Sequence, residues 1–382
     1  MKRSSLGKSG ISFFWRGKEW DRFTTGVSLH GHTLHSRESL DFIERVTGKV
    51  PWLSAKVRKE KAIYRETTGR ALDLTNAWWT PPLSARQAWD LEKRQIEQTL
   101  QRDALVSLSD HDNIDACLNL NVLEETRDCP ISIEWTVPFR RTFFHIGVHN
   151  LPRDTAGAMT AAMHAFTACP DECELAGRLE YFGASRDSIL ILNHPMWDES
   201  HIGQAGHMEH LHQFLECFAP SLHALELNGL RPSSENMSAA ELAERFHLPV
   251  VSGGDRHGRE PNACVNLTRA RTFAEFASEI RDDRESQILF LPHYRESLKM
   301  RVVENVIDIL RDDPNHALGW KHWSSRVFYR DQESEARSLH ELWGGQLPSL
   351  VSRFEAVKKF AENGRVRSAL RLALIAREQF AL

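Results

Sequence analysis

The chain has 382 residues, with 48 Lys and Arg against 52 Asp and Glu, so its formal net charge is −4. Hydrophobic residues make up 41% of the sequence and charged residues 26%, which is typical of a globular protein. This balance argues against a protein whose whole surface is built to hold nucleic acid. No run of about 18 apolar residues occurs, which excludes a membrane-spanning helix. The length predicts one large barrel or two to three ordinary domains.

The N-terminal sequence and the cysteines predict where the protein is found. The first five residues are basic but no apolar segment follows them, so no secretory signal is expected. Of the six cysteines, only Cys169 and Cys173 are close in sequence, and their spacing is not that of a structural zinc site. We therefore expect reduced thiols and a cytoplasmic protein.

Apolar runs alternate with helical patterns through the first three quarters of the chain, which is typical of an α/β fold with parallel strands. Eight strands are predicted, at 26–29, 104–108, 131–136, 143–148, 188–192, 224–227, 249–252 and 263–267. Helices are predicted most clearly at 84–101 and 238–247, and Thr272 with Glu275 forms a capping box that begins another. These strands fit a (β/α) barrel about as well as an open doubly wound sheet.

Two segments do not fit a minimal barrel. Residues 45–83 are predicted to be an insertion after the first strand, lying over or beside the mouth of the barrel. After Pro292 the strand patterns stop and helical patterns follow. The sequence therefore predicts a lead-in at 1–25, a barrel domain at 26–292 and a helical C-terminal extension at 293–382.

Side chains that ligate metals lie on six of the predicted strands or just after them. They are His30, His32, Asp110, His111, Asp112, Glu134, His145, His194, Asp255 and His257. Each short motif alone also occurs in helix caps, turns and surface histidine pairs. The carboxyl ends of barrel strands meet on one face, so their joint placement predicts a metal centre. Imidazole with carboxylate suits zinc, manganese or iron better than magnesium or calcium.

The ordered set resembles the polymerase and histidinol phosphatase (PHP) superfamily over about residues 26–290. This resemblance implies a distorted (β/α)7, TIM-like barrel that hydrolyses phosphate esters with two or three metal ions. By position, it implies a first metal held by His30, His32, Glu134 and Asp255. It implies a second held by Glu134, His145 and His194, with Glu134 as the bridge, and a third held by His111 and His257.

One position departs from the family pattern. The family usually has Asp or His seven or eight residues after the first histidine, whereas Arg37 and Glu38 follow the matching Ser36 here. Glu38 is therefore a candidate ligand of the third metal, and Arg37 is not. His149 shares a strand face with His145, and we prefer His145 as the ligand by its position in the motif.

The leading hypothesis is a phosphoesterase that uses two or three Mn, Zn or Fe ions and a metal-bound hydroxide on a phosphorylated small molecule or nucleotide. Asp255, His257 and His111 are candidates to handle the leaving-group proton. Arg256 and Arg231 are candidates to bind the phosphate. Two alternatives stay open: an amidohydrolase-like hydrolase of C–N or C–O bonds on the same metals, and a catalytically silent PHP-type domain with a regulatory or structural role.

Partners are predicted less directly. Residues 350–382 are basic and amphipathic, a pattern that serves nucleic acid, a membrane surface or a protein partner. Packing on the domain or contact in a homo-oligomer is favoured, nucleic acid is not favoured, and no membrane partner is expected. Trp135 and Trp197 lie next to proposed ligands, where they could stack on an aromatic group, although burial in the barrel wall is favoured.

Overall fold

The computed structural model describes residues 9–17, 20–40, 51–69, 71–330, 335–344, 358–360 and 363–373. Residues 45–50 of the predicted insertion and most of 345–382 therefore lie outside the described residues. Within the described part of the chain, none of the helices is both long and apolar enough to span a membrane.

The strands, in chain order, are β1 (Ser9–Phe13), β2 (Thr25–Leu29), β3 (Glu38–Ser39), β4 (Ala77–Trp79), β5 (Asp103–Ser107), β6 (Ile133–Phe139), β7 (Thr142–His149), β8 (Ile189–Leu192), β9 (Ala224–Asn228), β10 (Val250–Gly253), β11 (Cys264–Thr268), β12 (Ser286–Phe290), β13 (Val327–Tyr329) and β14 (Arg337–Ser338). All eight strands predicted from the sequence are present, with ends that differ by a few residues. The apolar runs that predicted them are buried, as the fully buried β8 illustrates.

The α-helices are α1 (Pro51–Thr68), α2 (Ala85–Gln95), α3 (Asp115–Asn121), α4 (Ala156–Ala168), α5 (Glu172–Phe182), α6 (Gln204–Phe218), α7 (Ser233–Arg245), α8 (Phe273–Ser278), α9 (Leu298–Ile309), α10 (Leu339–Leu342) and α11 (Gly364–Ala373). Two of them begin where the sequence predicts. Ser84 forms a capping box with Gln87 before α2, and the Thr272 hydroxyl accepts the N–H of Glu275 before α8.

Two five-stranded sheets carry most of the fold. The first has the order β1-β12-β11-β2-β5 and the second β10-β9-β8-β7-β6. Each mixes parallel pairs, such as β2 with β5, and antiparallel pairs, such as β6 with β7. The α/β class is confirmed, although the sheets are less purely parallel than the sequence predicts.

The two large sheets meet at single bridges instead of continuous ladders. Gly31 bridges to Arg256 between the ends of β2 and β10, and His111 bridges to Glu134 between β5 and β6. No sheet of the described residues closes into a barrel, so the (β/α)7 barrel is not shown. His30 and Asp255 have positive φ values where the two sheets meet, and the Asp255 N–H donates to the carbonyl oxygen of His30 at 2.7 Å.

An apolar core fills the space between the sheets. Val27 and Leu29 from β2 pack with Ile189 and Ile191 from β8, and Phe276 of α8 belongs to the same cluster. A larger cluster packs the second sheet against α4, α5, α6 and α7. Burial of this apolar surface, worth about 25 cal/mol per Å², supports the polar site at the strand ends.

A third, four-stranded sheet corrects the sequence analysis. It has the order β14-β13-β4-β3, so strands do occur after Pro292 and the 293–382 segment is not purely helical. In this sheet Trp79 pairs with Val327 on one side and with Glu38 on the other. The short runs after Pro292 form strands because β4 supplies their partner, which the local sequence pattern does not show.

Candidate metal centre

Three predicted ligands lie directly after strands in an unusual backbone conformation. His30, His194 and Asp255 have φ values of 60°, 27° and 50°, in the left-handed region that non-glycine residues seldom adopt. Such backbone strain tends to cluster at functional sites, where the surrounding fold maintains it. Here this backbone conformation directs the side chains of His30, His194 and Asp255 into one site.

Glu134, on β6, lies at the centre of this site and is fully buried. Its Oε2 lies 3.0 Å from Nε2 of His30, 3.3 Å from Nε2 of His32 and 3.2 Å from Nδ1 of His111. Its Oε1 lies 3.2 Å from Nε2 of His194 and 3.4 Å from Nδ1 of His145. One carboxylate therefore contacts five imidazoles, divided between its two oxygens.

The donor atoms form four overlapping groups, each with all its ligand atoms within 4.8 Å of one another. The groups are His30, His32 and Asp255; His30, Glu134 and His194; His111, Glu134 and His145; and His32, Glu38, His111 and His257. All nine ligands predicted from the sequence belong to them, so the structure brings the whole predicted set together. Which ion each residue binds stays a prediction.

The donor atoms also have the character of metal ligands. Nε2 of His30, Nε2 of His32 and Oε2 of Glu134 are buried and make no hydrogen bond of good geometry with any described residue. Buried polar atoms normally have hydrogen-bond partners, so three neighbouring buried atoms without one suggest that they bind something else. Imidazole nitrogens with carboxylate oxygens fit divalent transition-metal ions.

Glu38 lies at the position where the sequence departs from the family pattern, and it joins the histidines of the site. Its Oε1 lies 3.2 Å from Nε2 of His257 and its Oε2 lies 3.4 Å from Nε2 of His111. The Ser36 hydroxyl donates to Glu38 at 2.7 Å and accepts the backbone N–H of His111 at 3.1 Å. Arg37 instead lies over the Trp78 ring, 5.4 Å from its centroid.

The electrostatics keep the carboxylates ionised. Burial raises the pKa of Glu134. The neighbouring histidines lower it by a larger amount, with His30 contributing most, so the net pKa of Glu134 is well below the usual value. The pKa of Asp255 is likewise held low, against burial, by His32 and His257. Burial lowers the pKa of His32 to about 3, which keeps its imidazole neutral. Ionised carboxylates and neutral imidazoles are the forms that bind metals.

Glu226, on β9, was missed by the sequence analysis. Its Oε2 lies 2.6 Å from Nδ1 of His30, and Asn228 donates to its Oε1 at 2.6 Å. A Cβ on the neighbouring Gly253 would collide with this carboxylate, so the glycine leaves room for it. The sequence did contain a signal for this residue, because Glu226 is the one charged residue in the strand Ala224–Asn228, whose other residues before Asn228 are apolar. A carboxylate behind a ligating histidine fixes its tautomer and orientation.

Arg256, which the sequence analysis proposes as a phosphate ligand, is paired within the protein. Its guanidinium is buried, and Nε donates to Glu92 at 2.9 Å. Its terminal nitrogens donate to the carbonyl oxygens of Gly258 at 3.0 Å and His32 at 3.4 Å. The side chain therefore stabilises the loop that carries Asp255.

The aspartates flanking His111 accept hydrogen bonds from threonines at neighbouring strand ends. Asp110 accepts from the hydroxyl of Thr33 at 2.8 Å. Asp112 accepts from the backbone N–H and the hydroxyl of Thr136 at 2.9 and 2.7 Å. Both carboxylates therefore tie neighbouring strand ends together.

Arg231 does lie at the edge of the site. Its guanidinium carbon lies 3.2 Å from the centroid of the Trp197 ring, and one terminal nitrogen lies 3.6 Å from Oδ2 of Asp255. Nε of Arg231 is buried and has no hydrogen-bond partner among the described residues. Trp135, in contrast, is buried and donates to Thr167 at 3.0 Å, as a residue of the wall.

The centre opens on the side of Glu38, His111 and His257, whose side chains are 12%, 16% and 14% exposed. His30 and His32 on the opposite side are almost fully buried. Trp79 of the predicted insertion borders the opening, with its ring 5.8 Å from that of His257. Glu199, a second residue that the sequence analysis missed, lies 3.6 Å from Nδ1 of His145 at this opening.

Comparisons with known proteins assign no family. No family model and no curated protein matches the chain. Among solved structures, PsfC from Pseudomonas syringae PB-5123 is 14% identical with a TM-score of 0.41, covering 74% of this chain and 98% of that chain. An amidohydrolase from Chromobacterium violaceum, solved with sulfate and no metal, is 14% identical with a TM-score of 0.34, covering 60% of this chain and 87% of that chain.

A third similar structure is described provisionally as a metal-dependent phosphoesterase, from Bifidobacterium adolescentis ATCC 15703. It is 12% identical with a TM-score of 0.33, covering 68% of this chain and 93% of that chain. All three TM-scores are below 0.5, so these likenesses assign no function to the chain. The functional argument therefore rests on the donor groups.

Proposed function

We propose that the protein is a metal-dependent hydrolase, and specifically a phosphoesterase of the PHP type, whose two sheets correspond to a distorted barrel. The observation that carries the proposal is Glu134, whose two oxygens contact different histidines. A carboxylate so placed suits a bridge between two cations, and paired cations suit hydrolysis of phosphate esters.

Bound divalent ions would supply Lewis acidity, which lowers the pKa of water and offsets the charge of a phosphoryl group. The chain would hold them through the nine donors, with Glu38, His111 and His257 forming the part nearest the opening. Glu226 would orient His30, and Ser36 would orient Glu38 and His111.

The candidates for proton transfer differ in what their atoms face. Both ring nitrogens of His111, and both of His257, lie near carboxylates. Oδ2 of Asp255 lies instead toward Arg231. Because the pKa of Asp255 is held low by the surrounding histidines, this carboxylate suits proton acceptance better than donation.

Arg231 supports phosphate esters over amides as substrates. A guanidinium presents paired donors that match two phosphate oxygens. The guanidinium of Arg231 stacks on the ring of Trp197, which restricts its orientation. The substrate would then be a small phosphorylated molecule.

The basic residues of α11 support packing over nucleic-acid binding, since Arg371 pairs with Glu304 at 2.6 Å and Arg367 with Asp308 at 3.5 Å.

The decisive experiment combines elemental analysis with a hydrolysis screen. We expect two or three transition-metal ions per chain after expression in Mn- or Zn-rich medium, with phosphate released from phosphomonoesters and activity lost in chelator. Fewer than about one ion per chain would contradict the metal centre. Hydrolysis of amides or carboxylic esters without phosphate release would favour the amidohydrolase-like alternative.

A further inference from the structure

The four-stranded sheet carries the candidate ligand Glu38 at its edge. Its order is β14-β13-β4-β3, so within the described residues β3 has a pairing partner on one side only. The backbone pairs Glu38 with Trp79, and the N–H of Leu40 donates to the carbonyl oxygen of Ala77 at 3.1 Å. A strand of two residues beside a strand of three is at best marginally stable without further partners. The position of Glu38 therefore depends on what holds β4.

Glu38 and Trp79 both face the metal centre. They lie directly opposite each other, and opposite residues of an antiparallel pair have their side chains on the same face. Oε1 of Glu38 lies 3.2 Å from Nε2 of His257, and the Trp79 ring lies 5.8 Å from the His257 ring. Glu38 is the carboxylate of the donor group with His32, His111 and His257. The β3–β4 pair therefore carries the negative charge of that group.

Strand β13 holds β4 from the other side. Val327 pairs with Trp79 in this ladder. At its two ends, the N–H of Thr80 donates to the carbonyl oxygen of Arg326 at 2.9 Å, and the N–H of Arg330 donates to that of Asn76 at 3.0 Å. A third strand is what a two-stranded pair needs for stability. Residues 326–330 therefore secure the strand that pairs with Glu38.

Arg326 connects this ladder to the end of α9. Its side chain is buried, and Nη2 donates to the carbonyl oxygens of Ile309 and of Arg311, the latter at 3.0 Å. The last carbonyl groups of a helix lack partners within it and carry partial negative charge, so a cation stabilises them. Burial lowers the pKa of Arg326 to about 10, which leaves the guanidinium charged at neutral pH. One residue thus binds α9 through its side chain and β4 through its carbonyl oxygen.

We propose that Arg326 is a positioning residue of the metal centre, which holds β4 and, through β4, places Glu38 against His111 and His257. The inference rests on the proposed metal centre, because Glu38 is a proposed ligand of that centre. It gives the segment after Pro292, which lies beyond the resemblance to the PHP superfamily, a part in metal binding. Because coupling is reciprocal, an ion bound at Glu38 also stabilises the pairing of β4 with β13.

The first test is the metal content of the full-length protein after expression in Mn²⁺-rich medium and dialysis. Arg326→Met keeps an apolar side chain and removes the donors to α9. We expect about one ion fewer per chain than in wild type, with the other ions retained. A double variant with Glu38→Ala and Arg326→Met should lose no more metal than Glu38→Ala alone, because Arg326 acts through Glu38.

Arg281→Met is the matched control, because Arg281 also donates to backbone carbonyl oxygens, among them that of Ser188 at 2.6 Å. Ser188 precedes β8, at the end of the strand opposite His194, so this variant should lower stability and keep all its metal. Full metal content in folded Arg326→Met, or a loss greater than that in Glu38→Ala, overturns the inference. A wild-type protein that binds no Mn²⁺ contradicts the proposed metal centre as well.

Hydrogen exchange provides a second test that does not require Arg326→Met to fold. It compares the metal-free and Mn²⁺-loaded forms of wild type and of Glu38→Ala at the amides of β13, residues 327–329. We expect Mn²⁺ to slow this exchange about fivefold or more in wild type and less than about twofold in Glu38→Ala. Equal slowing in the two proteins overturns the inference, because β13 would then respond to metal without Glu38.

Discussion

The carboxylate of Glu226 lies 2.6 Å from Nδ1 of His30, on the side of the imidazole opposite Nε2, which lies 3.0 Å from Glu134. His30 is therefore held between two carboxylates. Burial lowers the pKa of His30, but Glu134 and Glu226 raise it more, so its net pKa is well above the usual value. In the metal-bound protein, Glu226 would orient the ring and increase its basicity as a ligand.

The first prediction follows from this pair. Glu226→Gln keeps the size of the side chain and removes the charge behind His30, so metal affinity should fall about 10- to 100-fold. Chelator competition measures it, and Glu241→Gln, at an exposed position of α7, should leave affinity unchanged. Equal affinity in both variants would mean that Glu226 has a structural role only.

Glu134→Gln should lower kcat by about 10³, or roughly 4 kcal/mol of transition-state stabilisation, because one charged bridging oxygen is lost. Steady-state phosphate release measures the effect. His35→Ala is the control, since Nε2 of His35 contacts Asn119 at 3.1 Å and the residue belongs to none of the donor groups. We expect its activity within about threefold of wild type. Full activity in Glu134→Gln would end the two-metal hypothesis.

Glu38→Ala should remove one metal ion selectively, because Glu38 is the only carboxylate in the donor group with His32, His111 and His257. Elemental analysis after dialysis should show about one ion fewer per chain. Arg37→Ala is the matched neighbour, because Arg37 lies over Trp78 and should leave metal content unchanged. A loss of all metal in Glu38→Ala would show that the ions bind as one cooperative unit.

Arg231→Lys should raise KM for a phosphomonoester about tenfold with a smaller change in kcat, since lysine lacks the paired donors of the guanidinium. Initial-rate kinetics separate the two constants. Arg140→Lys serves as the control, because Arg140 lies 4.0 Å from Glu172 on the surface. A KM within twofold of wild type would remove Arg231 from the substrate site.

The environment of His223 predicts that the folded protein loses stability in acid, independently of the metal centre. Burial, with Arg281 and Arg284, lowers the pKa of His223 to about 4, and Nδ1 accepts from Leu190 at 2.8 Å. The unfolded chain takes up a proton below about pH 6.5 and the folded chain does not, so stability falls as pH drops from 6.5 toward 4. The loss is at most about 3 kcal/mol.

His223→Asn tests this by keeping an acceptor near the position of Nδ1 without a titrating group. Urea unfolding of metal-free protein at pH 7.5 and 5.0 should show a smaller loss of stability in the variant than in wild type. An equal loss in the two proteins would assign the acid sensitivity to other groups.

The sequence by itself predicted eight of the strands and the nine candidate ligands. His30, His194 and Asp255 each follow an apolar run, and a buried strand followed by a polar residue is a pattern of neighbours in the chain. Glu38 could likewise be proposed as a ligand from its spacing to His30. These features depend on neighbours in the chain, so the sequence contains them directly.

The tertiary structure alone decided which polar residues support the centre. Arg256 stands inside the Asp-Arg-His motif, yet its guanidinium is paired with Glu92, which is distant in sequence. The contact of Glu226 with His30, and the room that Gly253 leaves for it, depend on contacts between different strands. Strand β13 forms because β4 pairs with it. Long-range contacts of this kind set the environment of a side chain, and no local pattern reports them.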